Sequence, residues 1–148
     1  MSDAFTSKDL VRAAFEAALE KKATDIMALD MAELLVVTDY FVIATGNTDR
    51  QVAAIAEEIE HELREQFGIK PTHREGVREA QWVLLDYGSI VVHLFQPDYR
   101  DEYRIEDLWS QAAKLRADAG ETRDSDVGTD LSTDSTDSSK TDTVDNAG

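Results

Sequence analysis

From Leu10 onward, apolar residues recur at helical spacing, through Leu10, Val11, Ala14, Phe15, Ala18 and Leu19. That pattern predicts one amphipathic helix ending near Lys21. Its start is marked by Thr6-Ser7-Lys8-Asp9, with Thr6 as N-cap and Asp9 in the capping-box position. The short apolar stretch from Asp25 to Asp30 reads as a strand. Tyr40-Phe41-Val42-Ile43-Ala44-Thr45 is aromatic and β-branched without polar alternation, which predicts a strand covered on both faces. Gly46 closes it. Thr48-Asp49-Arg50-Gln51 then repeats the capping-box form ahead of a second stripe, Val52, Ile55, Ile59, Leu63 and Phe67. Glu57, Glu58, Glu60, Glu62 and Glu65 mostly take the solvent side of that helix. Gly68 suits its C-terminus, and Pro71 prevents continuation soon after.

A short strand is expected near Thr72 to Arg74, leaving through Glu75-Gly76. Two further runs, Trp82 to Asp86 and Ile90 to Phe95, flank Tyr87-Gly88-Ser89. A glycine in a three-residue loop supplies the positive φ that closes a hairpin, so these runs should pair antiparallel. Pro97 to Tyr103 reads as a polar, aromatic-rich loop. Ile105, Leu108, Trp109, Ala112 and Leu115 then predict a last amphipathic helix. The order is helix, two strands, helix, two or three strands, helix. This is an α/β layer structure with a mixed sheet of four to five strands and helices packed on it.

Beyond Ala117 the composition changes to Asp, Ser and Thr, with only Val127, Leu131 and Val144 as larger apolar residues. Such a segment cannot offset the entropy of ordering. The expected organisation is therefore one domain over 1–117 and a disordered acidic tail over 118–148. The whole chain of 148 residues carries 31 acidic and 15 basic residues, a formal charge of −16. Residues 1–117 hold 22 acids and 13 bases, and residues 118–148 hold 9 acids and 2 bases, so both parts are acidic. Nucleic-acid affinity comes mainly from Lys and Arg displacing counterions; little direct nucleic-acid contact is expected, and a basic protein is the natural partner. No cysteine is present, which removes disulfides, thiolate metal sites and cysteine nucleophiles. The first residues lack the basic-then-apolar order of a signal peptide. No apolar run approaches the roughly 20 residues that span a bilayer. A cytoplasmic protein without membrane contact is expected.

The candidate chemistry is sparse. His61 lies among glutamates on the solvent side of the second helix, His73 precedes Arg74-Glu75 at a strand end, and His93 sits in the apolar run Val91 to Phe95. None has the partner spacing of a zinc helix or facial triad, and the plain readings are a solvated residue for His61, no site role for His73, and for His93 a hydrogen-bonded histidine in or beside the sheet. Thr45-Gly46-Asn47-Thr48 joins a strand to a helix N-terminus, where free N–H groups favour anions, yet it lacks the lysine of a phosphate-binding loop. Asp30, Asp39 and Asp86 stand near strand ends, where carboxylates could serve a metal or acid–base chemistry. In so acidic a chain that placement is weak. No metal and no cofactor are expected.

The aromatic residues say more. In the first hairpin strand Trp82, Leu84 and Asp86 share one face, while Val83, Leu85 and Tyr87 share the other. If the Trp82 face is open, it offers an apolar anchor beside an acid, a pairing found at interface hot spots. The other possibility is that Trp82 is core and Tyr87 decorates the turn. The Pro97–Tyr103 segment could extend such a surface or cap the last helix.

These residues resemble the ribosomal silencing factor family, also known as the Iojap-related proteins. The resemblance runs from about Asp25 to Ala112, through Thr38-Asp39-Tyr40-Phe41-Val42-Ile43-Ala44-Thr45-Gly46, Arg50-Gln51-Val52 and Ala54-Ile55-Ala56. It continues in Glu75-Gly76, Trp82 to Gly88, Val91 to Phe95, Tyr103 and Leu108-Trp109. Each piece is weak alone; all of them in order make a specific match. The resemblance implies a nucleotidyltransferase-like fold that has lost catalysis, and so a protein that is not an enzyme. It implies docking on large-subunit ribosomal protein fourteen, a basic protein on the intersubunit face of the large ribosomal subunit. There the bound factor blocks subunit association and represses translation under nutrient limitation. It further implies a homodimer when free. By position, Trp82, Leu84, Asp86 and Tyr87 match the family's docking surface, with Asp98, Asp101 and Glu102 at its rim. Two departures are Ser89, where many members carry an acid, and the acidic tail. The alternative from another class is a nucleotide-binding or nucleotidyl-transferring enzyme using the Gly46 turn for phosphate and Asp39 or Asp86 for magnesium.

Overall fold

The structure is a computed structural model that describes residues 5–35 and 37–117. The acidic segment 118–148 lies outside the described residues. Helix α1 (Ser7–Glu20) leads to strands β1 (Thr24–Asp30) and β2 (Tyr40–Thr45), then to helix α2 (Asp49–Phe67). Strands β3 (His73–Glu75), β4 (Trp82–Asp86) and β5 (Ile90–Phe95) follow, then the short helices α3 (Pro97–Tyr103) and α4 (Ile105–Leu108), and strand β6 (Lys114–Ala117). The six strands form one sheet in the order β3-β4-β5-β2-β1-β6. Only β2 and β5 pair parallel; every other neighbour is antiparallel.

The helix caps form as their residues dictate. Thr6 Oγ1 accepts from the Asp9 amide while the Asp9 carboxylate accepts from the Thr6 amide, a complete capping box. At α2, Thr48 Oγ1 accepts from the Gln51 amide at 3.0 Å. Gln51 does not close the box: its Oε1 accepts from the Asn47 amide, and its Nε2 donates to the carbonyls of Lys21 and Lys22. The side chain thus ties the end of α1 to the start of α2. Gly68 ends α2 in the left-handed conformation, where a glycine avoids the steric penalty of a Cβ.

Helices α1 and α2 pack side by side on one face of the sheet. Leu10, Ala14, Ala18, Val52, Ile55, Ile59 and Leu63 meet Ile26, Ala28, Val42, Ala44, Val83, Leu85, Ile90, Val92 and Leu94 there. A smaller cluster on the opposite face joins Met27, Leu29, Met31, Ile43 and Phe95 to Ile105 and Ala112. Strands with both sides covered explain why Tyr40–Thr45 carries no polar alternation.

The C-terminal third departs from the expected pattern. The sheet has six strands, and the helix expected through Leu115 is absent. Segment Pro97–Tyr103 is helical, with Pro97 at its first position, where a missing N–H costs nothing. Arg104 in the left-handed conformation separates α3 from α4. The chain leaves helix at Trp109, and Lys114-Leu115-Arg116-Ala117 pairs with β1, placing Leu115 opposite Ala28 and Ala117 opposite Ile26. Those four residues alternate polar and apolar, which is period two as much as it is the tail of a helical stripe. The edge of β1 provided a ladder of backbone partners that no isolated helical turn could match. Leu108, counted into the helical stripe, is instead 73 % exposed. No helix among the described residues is long and apolar enough to cross a membrane.

Candidate functional site

Register assigns the side chains to faces. Trp82 stands opposite Phe95 and Leu84 opposite His93, while Asp86 stands opposite Val91. The parallel pairing of β5 with β2 continues these rows to Ile43 and Phe41. One row across the sheet is therefore Glu75, Leu84, His93, Ile43 and Met27, and the next is His73, Asp86, Val91, Phe41 and Leu29. This is the face turned away from α1 and α2. Val83 and Leu85 are fully buried against the helices, whereas Trp82, Leu84 and Asp86 are half-buried on the other side. Trp82 packs at the edge of the smaller cluster; Leu84 and Val91 belong to neither core. Four half-buried apolar or aromatic side chains, Phe41, Trp82, Leu84 and Val91, thus share one sheet face.

Helix α3 borders this face at the Trp82 end. The Tyr103 ring lies 4.9 Å from the Trp82 ring, and the Tyr99 ring 5.9 Å from that of Tyr103. Tyr99 Oη donates to Gln81 Oε1, tying the helix to the start of β4. Asp98, Asp101 and Glu102 are exposed on the same helix. The structure thus brings Trp82, Leu84 and Asp86 onto one face with these three acids at the flank. Asp86 also caps the hairpin turn, its Oδ1 accepting from the Gly88 amide.

Tyr87 is not part of this arrangement. It packs against the helix-side core, with its hydroxyl buried and unpartnered among the described residues. Burial pushes its pKa well above the ordinary tyrosine value, with the nearby Glu60 adding to the rise and Arg74 and Arg64 opposing it. The turn residue continues the alternation of β4 onto the Val83 face, opposite Trp82.

The sequence positions of His93 and Phe41 do not by themselves join them to Trp82. His93 Nδ1 accepts from Trp82 Nε1 at 3.2 Å, and Phe41 meets His93 edge-on with ring centres 4.8 Å apart. Trp109 meets Phe41 at a right angle, 6.1 Å away. Period two in β2 and β5 could have placed Phe41 and Val91 on one face, but joining them to Trp82 needs the parallel register of β2 on β5. The remaining histidines are exposed: His61 lies near Arg64, and His73 Nε2 pairs with Glu75 Oε2.

The turn at Gly46 is closed. Gly46 N–H donates to the Phe95 carbonyl, and a Cβ built there would meet Val52 and Ile55 at 3.0 and 3.1 Å. The Asn47, Arg50 and Gln51 amides at the start of α2 bond to neighbouring side chains. Asp39 accepts from Ser7 Oγ, and Asp30 from the Ala32 amide. Among the described residues no three His, Asp or Glu side chains group as a metal site.

Comparison with known proteins agrees with this fold. The family described as "Ribosomal silencing factor during starvation" matches residues 4–146. Ribosomal silencing factor RsfS of Bacillus subtilis is 45 % identical over 113 residues, covering 76 % of this chain and 95 % of that protein. Its counterpart from Halalkalibacterium halodurans is 40 % identical over 107 residues, covering 72 % and 91 %. A crystal structure of a Chromobacterium violaceum protein superposes with a TM-score of 0.69 at 36 % identity, over 72 % of this chain and 88 % of that one. The mixed six-stranded sheet with its two-helix layer is thus that of a member of the ribosomal silencing factor family.

Proposed function

We propose that this chain represses translation by docking on the large ribosomal subunit and blocking its association with the small one. The observation that carries the proposal is the half-open apolar sheet face of Trp82, Leu84, Val91 and Phe41, flanked by acids, in a chain of this family. Trp82 is the anchor, Leu84 widens the apolar contact, and Asp86, Asp98, Asp101 and Glu102 meet cations at the rim. A half-buried tryptophan surrounded by apolar neighbours is the composition of an interface centre. The partner that fits is a basic protein, and on the resemblance it is large-subunit ribosomal protein fourteen. A chain of charge −16 is repelled by RNA phosphates and so grips protein on an RNA-rich particle. Occupying the intersubunit face excludes the small subunit sterically, and no bond is made or broken. The protein works in the cytoplasm, without cofactor or catalysis, and forms a homodimer when free.

Sedimentation with separated ribosomal subunits tests this. Comigration with the large subunit alone, together with loss of joined ribosomes on addition of the small subunit, is the expected result. Comigration with neither subunit would sink the proposal, and stabilisation against heat by a nucleotide would favour the enzyme alternative.

A further inference from the structure

At the centre of the strand face that carries Trp82, among Phe41, Val91 and Phe95, sits one titratable side chain. Val91, His93 and Phe95 alternate onto that face from β5, and His93 is only 6 % exposed. Its Nδ1 accepts from the Trp82 indole at 3.2 Å. Indole nitrogen is a donor only, so this bond fixes the imidazole tautomer with its proton on Nε2. That Nε2 is buried and has no partner among the described residues. Burial also holds the ring neutral, with a pKa lowered to about 4.

For the fold alone this is a poor choice. Buried polar atoms are ordinarily hydrogen-bonded, and each one that is not calls for an explanation. A phenylalanine at the same position would fill the space between Phe41 and Phe95 without leaving a polar atom bare. Nor is the donor part of the fully buried core, because Trp82 is only half-buried. What the imidazole supplies that an apolar ring cannot is a directional acceptor, fixing how the indole lies on the sheet. Phe95 and Tyr103 contact the indole at ring-centre distances of 4.8 and 4.9 Å; these contacts bound its position but tolerate rotation, whereas a hydrogen bond selects one orientation.

We infer that His93 is a positioning residue for the docking face, holding the Trp82 indole in the orientation that the ribosomal partner meets. The inference rests on the proposed docking through Trp82 and adds to it the group that pre-organises the anchor. A side chain fixed before encounter does not lose its rotational freedom on binding, which is how pre-organisation raises affinity.

Two substitutions separate positioning from folding. H93F keeps an aromatic ring and removes the acceptor; H93N keeps an acceptor near the place of Nδ1 but leaves a cavity. The expected result is a crossover. H93F melts at or above the wild-type temperature yet binds the large subunit about tenfold more weakly, the value of one modest hydrogen bond. H93N melts lower and retains wild-type affinity. In the free protein, the Trp82 indole proton, assigned by its loss in W82F, exchanges faster with solvent in H93F and at the wild-type rate in H93N. In a W82F background, H93F brings no further loss of affinity. Affinity that simply follows melting temperature across the variants overturns the inference, as does H93F binding like wild type while W82A does not. Unchanged indole exchange in H93F overturns it without reference to the ribosome. If W82A itself binds normally, the docking face is wrong and the inference falls with it, an outcome recognisable because no His93 variant is involved.

Discussion

Nη1 of Arg100 in α3 donates to the backbone carbonyl of Asp25 at 2.9 Å, joining residues 75 apart in sequence. Asp25 has a positive φ of 48° and sits in the irregular register between Thr24 and Met27 of β1. The same Nη1 donates to Thr45 Oγ1 at 2.7 Å, at the end of β2, while Nε bonds the Glu106 carboxylate. One buried guanidinium therefore fastens α3 and α4 to the ends of two strands. Since α3 carries Tyr99 and Tyr103 to the side of Trp82, the border of the proposed docking face depends on a cation that is 5 % exposed.

Arg100→Met should consequently lower stability sharply, because it leaves Glu106 beside a lost partner and frees two strand-end acceptors. Breaking a largely buried ion pair from one side costs about 3 to 5 kcal/mol. Arg100→Lys should recover little, since a single ammonium cannot reach three acceptors in the fork geometry of guanidinium. Urea denaturation of the two variants checks this; a midpoint for the methionine variant within error of wild type would mean that α3 is held by its tyrosines and not by Arg100.

How far the sequence revealed this arrangement differs between its two ends. Capped, strongly periodic segments such as Ser7–Glu20 and Asp49–Phe67 were legible because local chemistry and packing favour the same answer. The hairpin of β4 and β5 was legible from Gly88, and it placed Trp82, Leu84 and Asp86 on one side. After Phe95 local signals are ambiguous. Ile105, Leu108, Trp109, Ala112 and Leu115 fit a helix, yet the open edge of β1 drew Lys114–Ala117 into the sheet, a tertiary effect invisible in a single segment. Arg100 was equally hidden: nothing beside it in sequence shows that its partners are a carbonyl at Asp25 and a hydroxyl at Thr45. Tyr87 was legible in the other direction: its alternation with Trp82 is readable from the strand, and the structure packs it against the helix-side core.

Trp82→Ala is expected to weaken large-subunit binding by about thirtyfold, the loss of about 2 kcal/mol that truncating a central interface aromatic commonly brings. Tyr87→Phe is the matched control on the opposite face. It removes a buried hydroxyl with no partner among the described residues and should leave binding unchanged and stability equal or higher. Affinity from sedimentation and a melt of each variant decide the matter. If Trp82→Ala loses its cooperative melt, the residue serves the core, and the assignment of this face to docking is wrong.

The imidazole of His93 gives a prediction in pH. Its pKa is lowered to about 4 by desolvation alone, against about 6.5 for an unfolded histidine. Between those values the unfolded chain binds a proton that the folded chain does not, so stability falls as pH drops through this window. Above about pH 6.5 the group has no such effect. By pH 4.5 the loss should exceed about 2 kcal/mol. Carboxylates titrate nearby in pH, so the comparison is with H93F, whose stability should fall less between pH 7 and 4.5. Parallel pH profiles for the two proteins would show that His93 accepts its proton without unfolding.

The acidic segment beyond Ala117 should be dispensable for docking. Residues 118–148 hold 9 acids and 2 bases, and RNA around the proposed docking site would repel them. A chain ending at Ala117 keeps β6 whole, because Ala117 is the last residue of that strand and pairs with Ile26 of β1. Truncation there should leave the melting temperature and large-subunit affinity near wild type. If the segment contributes, it does so by opposing the small subunit, whose RNA surface meets its volume and like charge. That repulsion acts over a Debye length of about 8 Å at physiological salt and reaches further as salt is lowered. The truncated chain is therefore expected to inhibit subunit joining slightly less than the full chain, most visibly at low ionic strength. Binding and joining measured side by side separate the two effects. A large loss of binding on truncation would mean that the acidic segment itself contacts the basic partner, and the docking face would then have to be extended beyond the sheet.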